Sequence, residues 1–248
     1  MFLVFLFGTV IGSFLNVCIY RIPKGESILF PPSHCTKCLK KISLNNLIPI
    51  VSYMLLKGKS SCCSSKISMR YPFIEMLAGF LFVLTYFTYG FGVLFLKWIF
   101  FISLIIVIGF IDMDTNDVYL NSIIFGIIGA VVFIIVQLVI LNISNSVYID
   151  CLLGGLAGFS IIGAIIILTN GMGFGDAEIC AMAGLFLGLE KTVLMVVISF
   201  IAGGIAGGYF MLSKEKGRKD SIPFAPFIAF SSIITIIFGN SILQWYIW

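Results

Sequence analysis

The chain has 248 residues, of which 60% are hydrophobic and only 10% charged, with a formal net charge of +4. A water-soluble domain of this size needs far more charge to cover its surface, so a soluble core is excluded. The charge is too small to argue for a nucleic-acid partner and reads instead as loop charge that orients the chain in a lipid bilayer.

The opening stretch 1–20 lacks a basic leading region and a small-residue cleavage site before Arg21. It is therefore expected to be a retained membrane helix rather than a signal peptide. Apolar runs of about 20 residues, enough to cross roughly 30 Å of hydrocarbon, recur downstream. Eight spans are predicted, at 2–20, 72–89, 93–111, 119–141, 149–169, 177–189, 192–212 and 224–247. The sixth is short and is expected to lie inside the bundle, shielded by its neighbours. The fold class is an all-α membrane protein: a polytopic bundle of about eight transmembrane helices with a small cytoplasmic domain between helices 1 and 2. Trp98, Trp245 and Trp248 fit interfacial belts, and the paired glycines Gly203-Gly204 and Gly207-Gly208 fit close helix packing.

Charge supplies the orientation. Between Arg21 and Tyr71 lie nine Lys/Arg (Arg21, Lys24, Lys37, Lys40, Lys41, Lys57, Lys59, Lys66, Arg70) against one acid, Glu26. The loop 213–222 adds Lys214, Lys216, Arg218 and Lys219. Basic loops stay in the cytoplasm, and with eight spans both fall on one side by parity. The turns that carry Asp112 and Asp176 fall on that side too.

The segment 21–71 is read as a cytoplasmic cysteine-containing domain, following the first helix (1–20) and preceding a membrane-embedded region (72–248). It holds Cys35, Cys38, Cys62 and Cys63, a grouping that reads as a metal site or a thiol cluster. About 50 residues is too few for a strong core, so a metal or docking on the bundle is expected to help hold it. Cys18, Cys151 and Cys180 lie in apolar runs, as small buried hydrophobes do.

Ionisable groups at membrane depth are costly and functional by default. Asp112 ends the third span, with Asp114 and Asp117 close behind as ordinary loop acids. Asp176 closes Gly173-Phe174-Gly175-Asp176 at the start of the sixth. Gly173 and Gly175 let the backbone bend without side chains and bring the Asp176 carboxylate toward another helix. If Asp112 reaches it, two carboxylates share one site and hold one proton between them. One then acts as general base on a water while its protonated partner polarises a scissile carbonyl.

In order along the chain stand Gly12-Ser13-Phe14-Leu15-Asn16-Val17 with Arg21 and Pro23, then Cys35-x-x-Cys38, Gly58-Lys59, Ile67-Ser68 and Arg70-Tyr71-Pro72 with Glu75. Ile111-Asp112-x-Asp114-Thr115, Gly171-Met172-Gly173-Phe174-Gly175-Asp176 and Pro223-Phe224-Ala225-Pro226-Phe227 follow. In this order the chain resembles the type IV prepilin peptidases, bifunctional leader peptidase/N-methyltransferases of the GxGD aspartic class. The resemblance implies that Asp112 and Asp176 are the catalytic aspartates. It implies a bacterial inner-membrane enzyme, active at the cytoplasmic face, that cuts the basic leader from prepilins or pseudopilins. It implies methylation of the new N-terminus by S-adenosylmethionine, with Glu75 serving that activity, where position alone reads Glu75 as a salt-bridge or helix-start carboxylate near Arg70. Asn16 and Arg21 are candidates to orient substrate or the cytoplasmic domain, and Arg21 is equally an interfacial anchor. The resemblance further implies a four-thiolate zinc site. Here Ser60 stands where the fourth cysteine belongs, leaving Cys35, Cys38 and Cys63 as ligands, with Cys62 or His34 as a fourth. Two other departures are Tyr119-Leu120 in place of a Pro-Asp or Pro-Asn pair, and Glu178 in place of a lysine.

Other readings stand beside this one. A transporter or ion-coupled carrier predicts midplane acids and an inverted repeat, and the sequence has neither. A presenilin-type protease would lack the cysteine-bearing loop. A catalytically altered assembly subunit would keep the fold alone. No Rossmann-like glycine fingerprint is present, so methylation rests on the resemblance.

Overall fold

A computed structural model describes residues 1–35, 37–140, 146–169, 171–212 and 223–247. The basic loop 213–222 and Trp248 lie outside the described residues. Among those residues the chain forms nine α-helices, two short 3-10 turns and two isolated β-bridges, and divides into two compact units, Met1–Gly90 and Phe91–Trp248.

In the first unit, α1 (Phe2–Arg21) packs along α3 (Arg70–Tyr89). Glycines set the spacing. A Cβ on Gly12 would sit 2.7 Å from the Glu75 Cα, and one on Gly8 would sit 2.7 Å from the Gly79 Cα. Backbones this close need small residues at the contact, as is common between membrane helices. The segment between the two helices carries the short α2 (Val51–Leu55) and two bridged loops, His34↔Lys41 and Lys59↔Lys66.

The second unit holds α4 (Val93–Thr115), α5 (Leu120–Ile140), α6 (Ser146–Thr169), α7 (Phe174–Leu187), α8 (Leu189–Leu212) and α9 (Ala225–Ile247). α4 packs on α5 and α9, and α7 lies against α5, α6, α8 and α9. Phe101 of α4 stacks on Phe186 of α7 with centroids 4.6 Å apart. α6 and α7 meet through backbone: a Cβ on Gly154 would lie 2.5 Å from the Gly184 carbonyl oxygen, and one on Gly184 would collide with the Gly154 carbonyl. The turn from α7 to α8 passes through Gly188 at φ +81, and the Asp150 carboxylate accepts the Leu189 N–H at 3.0 Å.

Helices occupy all eight expected places, and seven are long and apolar enough to cross a bilayer. The sixth, α7, has 14 residues and spans about 21 Å at 1.5 Å per residue, less than the hydrocarbon thickness. Nine of its residues are buried, so it is protein rather than lipid that surrounds it. Two boundaries shift in a way that matters. α4 runs past position 111 to Thr115, and Asn116 then takes a left-handed φ of 54, which asparagine tolerates. α7 starts at Phe174 instead of 177. Asp112 and Asp176 are thus inside helices, in a last and a first turn. Trp98, expected at an interface, is buried against Phe101, whereas Trp245 is exposed.

Candidate active site

Asp112 and Asp176 come from different helices and share the wall of one cavity of about 780 Å³ in the second unit. Both are almost fully buried, at 4% and 8% exposure. Asp112 Oδ2 accepts the backbone N–H of Ala225 at 3.0 Å, a donor freed because Ala225 opens α9 and has no preceding turn to bond. Asn116, Asp117 and Val118 line the cavity where the chain turns out of α4, and Phe200, Phe224 and Phe227 add aromatic surface to its wall.

The two expected glycines have different roles. A Cβ on Gly175 would stand 2.6 Å from the Val118 Cβ, so this glycine lets the start of α7 press against the chain leaving α4. Gly173 has φ −80, open to any residue, and nothing within 4 Å of a Cβ. It lines the cavity and keeps it open rather than bending the chain. Gly203 and Gly204, expected to pack helices, also line the cavity; Gly203 faces the Phe224 ring, while Gly204 and Gly208 face open space. Of the loop acids, Asp117 is on the cavity wall and Asp114 is not. Glu178 is half-buried and outside that wall.

The first unit holds the thiols. The Sγ atoms of Cys35, Cys38, Cys62 and Cys63 all lie within 4.8 Å of one another, with Cys38 to Cys62 at 3.0 Å and Cys35 to Cys63 at 3.6 Å. Two loops of the same design hold them. Cys35 N–H bonds the Lys40 carbonyl and Leu39 N–H the Cys35 carbonyl; Ser60 N–H bonds the Ser65 carbonyl and Ser64 N–H the Ser60 carbonyl. Leu39 and Ser64 both turn left-handed, at φ 57 and 55. Ser60 therefore matches Cys35 and Cys63 matches Cys38, and Cys62 fills the corner that Ser60 leaves. Tetrahedral zinc with Zn–S bonds near 2.3 Å needs sulfurs roughly 3.8 Å apart, and this cluster brackets that spacing. His34 bonds the Pro32 carbonyl through Nδ1 and stands outside the thiol set. The Cys38 N–H, with help from the Ser60 hydroxyl, holds the Cys35 thiol down at about 5. The neighbouring Cys62 thiol pushes Cys38 up to about 12, so the cluster divides its protons unevenly.

Asn16, Arg21 and Glu75 surround a separate cavity of the first unit. Asn16 Nδ2 donates to the Tyr71 carbonyl at 3.1 Å and ties α1 to the start of α3. Arg21 is buried, with Nη1 and Nη2 donating to the carbonyls of Ser27 (2.9 Å) and Pro31 (2.7 Å). It clamps the 27–31 loop. Glu75 Oε2 accepts the Ile50 N–H at 2.7 Å. Sequence reasoning missed the two backbone donors, Ile50 and Ala225. The prolines at 223 and 226 marked a helix start, the one signal that pointed to Ala225.

Two family models match the chain: the Bacterial Peptidase A24 N-terminal domain over residues 6–89 and the Type IV leader peptidase family over residues 99–208. A protein of Bacillus subtilis (strain 168) named prepilin leader peptidase/N-methyltransferase is 30% identical over 246 residues, covering 99% of this chain and 97% of its own length. Proteins of the same name from Legionella pneumophila and Neisseria gonorrhoeae are each 30% identical, covering 98% and 95% of this chain and 92% and 89% of their own. No solved structure matches the chain.

Proposed function

The chain belongs to the family of the prepilin leader peptidase/N-methyltransferases, and from that premise we propose that Asp112 and Asp176 hydrolyse the leader bond of a prepilin or pseudopilin. The observation that carries this reading is the meeting of two buried acids from separate helices on one cavity wall. The pair holds one proton. The ionised carboxylate takes a proton from water as the water oxygen bonds to the scissile carbonyl carbon, while the protonated partner donates to the carbonyl oxygen. Collapse of the tetrahedral centre breaks the C–N bond, and the leaving amine takes up a proton. A leader carboxylate and a free pilin N-terminus result. Cleavage assays on membranes carrying Asp112→Asn or Asp176→Asn test the assignment.

The working face is cytoplasmic. The strongly basic segment between α1 and α3 sets that side, and the crossings α3 with α4, then α5 with α6, return first Asp112 and then Asp176 to it. This count does not depend on whether the short α7 crosses.

Methylation of the new N-terminus is the second activity, with S-adenosylmethionine as methyl donor. Cys35, Cys38, Cys62 and Cys63 would hold a zinc ion that joins the two bridged loops, whose own core is small. Metal analysis of purified protein is expected to give about one zinc per chain. Cys62→Ser is expected to lose most of it, and adding Ser60→Cys, which rebuilds the matching corner, to restore it. Zinc retention in Cys62→Ser alone would remove Cys62 from the ligand set. Because ligating thiols must give up their protons, binding is expected to weaken as pH falls.

A further inference from the structure

Shortly after α1 the chain presents an apolar run that no part of the described chain covers. Ile28, Leu29 and Phe30 are 39%, 71% and 75% exposed, and Pro31 and Pro32 beside them are exposed as well. Contiguous apolar surface of this kind is costly in water and marks a contact site. Arg21 fixes its place. The chain turns back at Gly25, with φ +66, and the Glu26 N–H bonds the Arg21 carbonyl at 3.1 Å. The Arg21 guanidinium then grips the Ser27 and Pro31 carbonyls, one on each side of the apolar tip. α1 has 20 residues and rises about 30 Å, the thickness of the hydrocarbon, so Arg21 stands at the edge of the bilayer. The tip is held beside that edge, within the reach of one side chain. Exposed apolar residues of α1, among them Val10 and Phe14, lead toward the same end of the helix.

The backbone of the tip is prepared for a dry setting. Ser27 Oγ accepts the N–H groups of Leu29 and Phe30, each at 3.3 Å, and the two prolines have no N–H to satisfy. Unmet backbone groups are what keeps irregular chain out of lipid. A protein groove could supply hydrogen-bond partners to the tip, whereas acyl chains supply none, and this tip meets the stricter condition. Lys24, exposed and lying over the Tyr20 ring at 3.5 Å, places a cation at the level of the headgroups.

We infer that Ile28-Leu29-Phe30 is a membrane-inserted tip, entering the leaflet at the Arg21 end of α1. Apolar faces at such interfaces sit about 5–10 Å into the boundary between headgroups and acyl chains. Arg21, itself only 4% exposed, serves by gripping the loop rather than by meeting headgroups. The tip thereby ties the segment that follows, with Cys35 and Cys38, to the bilayer surface.

Phe30→Trp in the full chain, in nanodiscs of phosphatidylcholine and phosphatidylglycerol, tests this. The wild-type protein supplies the emission of Trp98, Trp245 and Trp248 for subtraction. Lipid brominated near the top of its acyl chains is expected to quench most of the added emission, and aqueous iodide little of it. Leu29→Trp is expected to behave alike, so the result does not rest on one variant. Quenching by iodide and not by the brominated lipid would put the tip in water and overturn the inference. Protection from both quenchers would mean that protein covers the tip, a second copy if the protection vanishes at one chain per nanodisc, and would overturn it as well.

Discussion

Asp112→Ala and Asp176→Ala are each expected to lower prepilin cleavage by about 10²- to 10⁴-fold, the range of a lost general acid–base group. Asn at either position should do nearly as much. Asn keeps the volume, and at position 112 it keeps an oxygen for the Ala225 N–H, but it cannot take a proton from water. The loss is therefore expected with the fold intact, as thermal unfolding in detergent would show. The two losses should not multiply, because a dyad with one member missing has already lost its function. The contrast is Asp114, outside the cavity wall, where Asn is expected to leave the rate within about threefold, since acid–base gains need a group within reach of the substrate. Near-wild-type cleavage with Asn at either 112 or 176 would remove the peptidase assignment.

The second large effect is expected where α6 meets α7. Ala at Gly184 puts a methyl group onto the Gly154 carbonyl, and Ala at Gly154 puts one 2.5 Å from the Gly184 carbonyl oxygen. Backbone cannot rotate aside as a side-chain tip can, so the helices must separate. Overpacking of this kind costs about 1–3 kcal/mol. The cost falls on function too, since α7 carries Asp176. Both variants are expected to melt earlier and to cleave more slowly. Gly163, on α6 as well, has nothing within 4 Å of a Cβ. Ala there is expected to be neutral or stabilising by up to about 1 kcal/mol through helix propensity. Equal melting of the Gly184→Ala and Gly163→Ala proteins would show that the close approach does not govern stability.

The sequence made the spans legible because each is a long apolar run, and hydropathy needs no knowledge of neighbours. The short sixth run is legible as a helix shielded inside the bundle, since 14 residues wrapped by protein need no lipid-set length. α4 ends four residues past its apolar run because the largely polar Asp112-Met113-Asp114-Thr115 continues the helix to Thr115, and α7 opens three residues before its apolar run, at Phe174. Asp112 and Asp176 stood out as acids at span ends, yet what they touch was hidden. Ala225 lies 113 residues from Asp112, and a backbone N–H leaves no mark in composition. Glu75 shows the same gap, since its partner is the N–H of Ile50. The cysteine group is visible in the sequence, but not whether Cys62 or His34 joins Cys35, Cys38 and Cys63. The left-handed turn at Ser64 and the bonds of Ser60 fold that loop so that the Cys62 and Cys63 sulfurs both reach the cluster. Gly173 and Gly175 look alike in sequence, and only the position of Val118 separates the glycine that allows contact from the one that leaves space.

Sidedness probes the paired-acid centre most directly. Asp112→Cys and Asp176→Cys proteins, in sealed vesicles of either orientation, can be treated with a membrane-impermeant thiol reagent and the modified peptides identified by mass. Both positions are expected to react only when the cytoplasmic face is outward. Reaction of one position from each face would separate the two acids and contradict a shared centre.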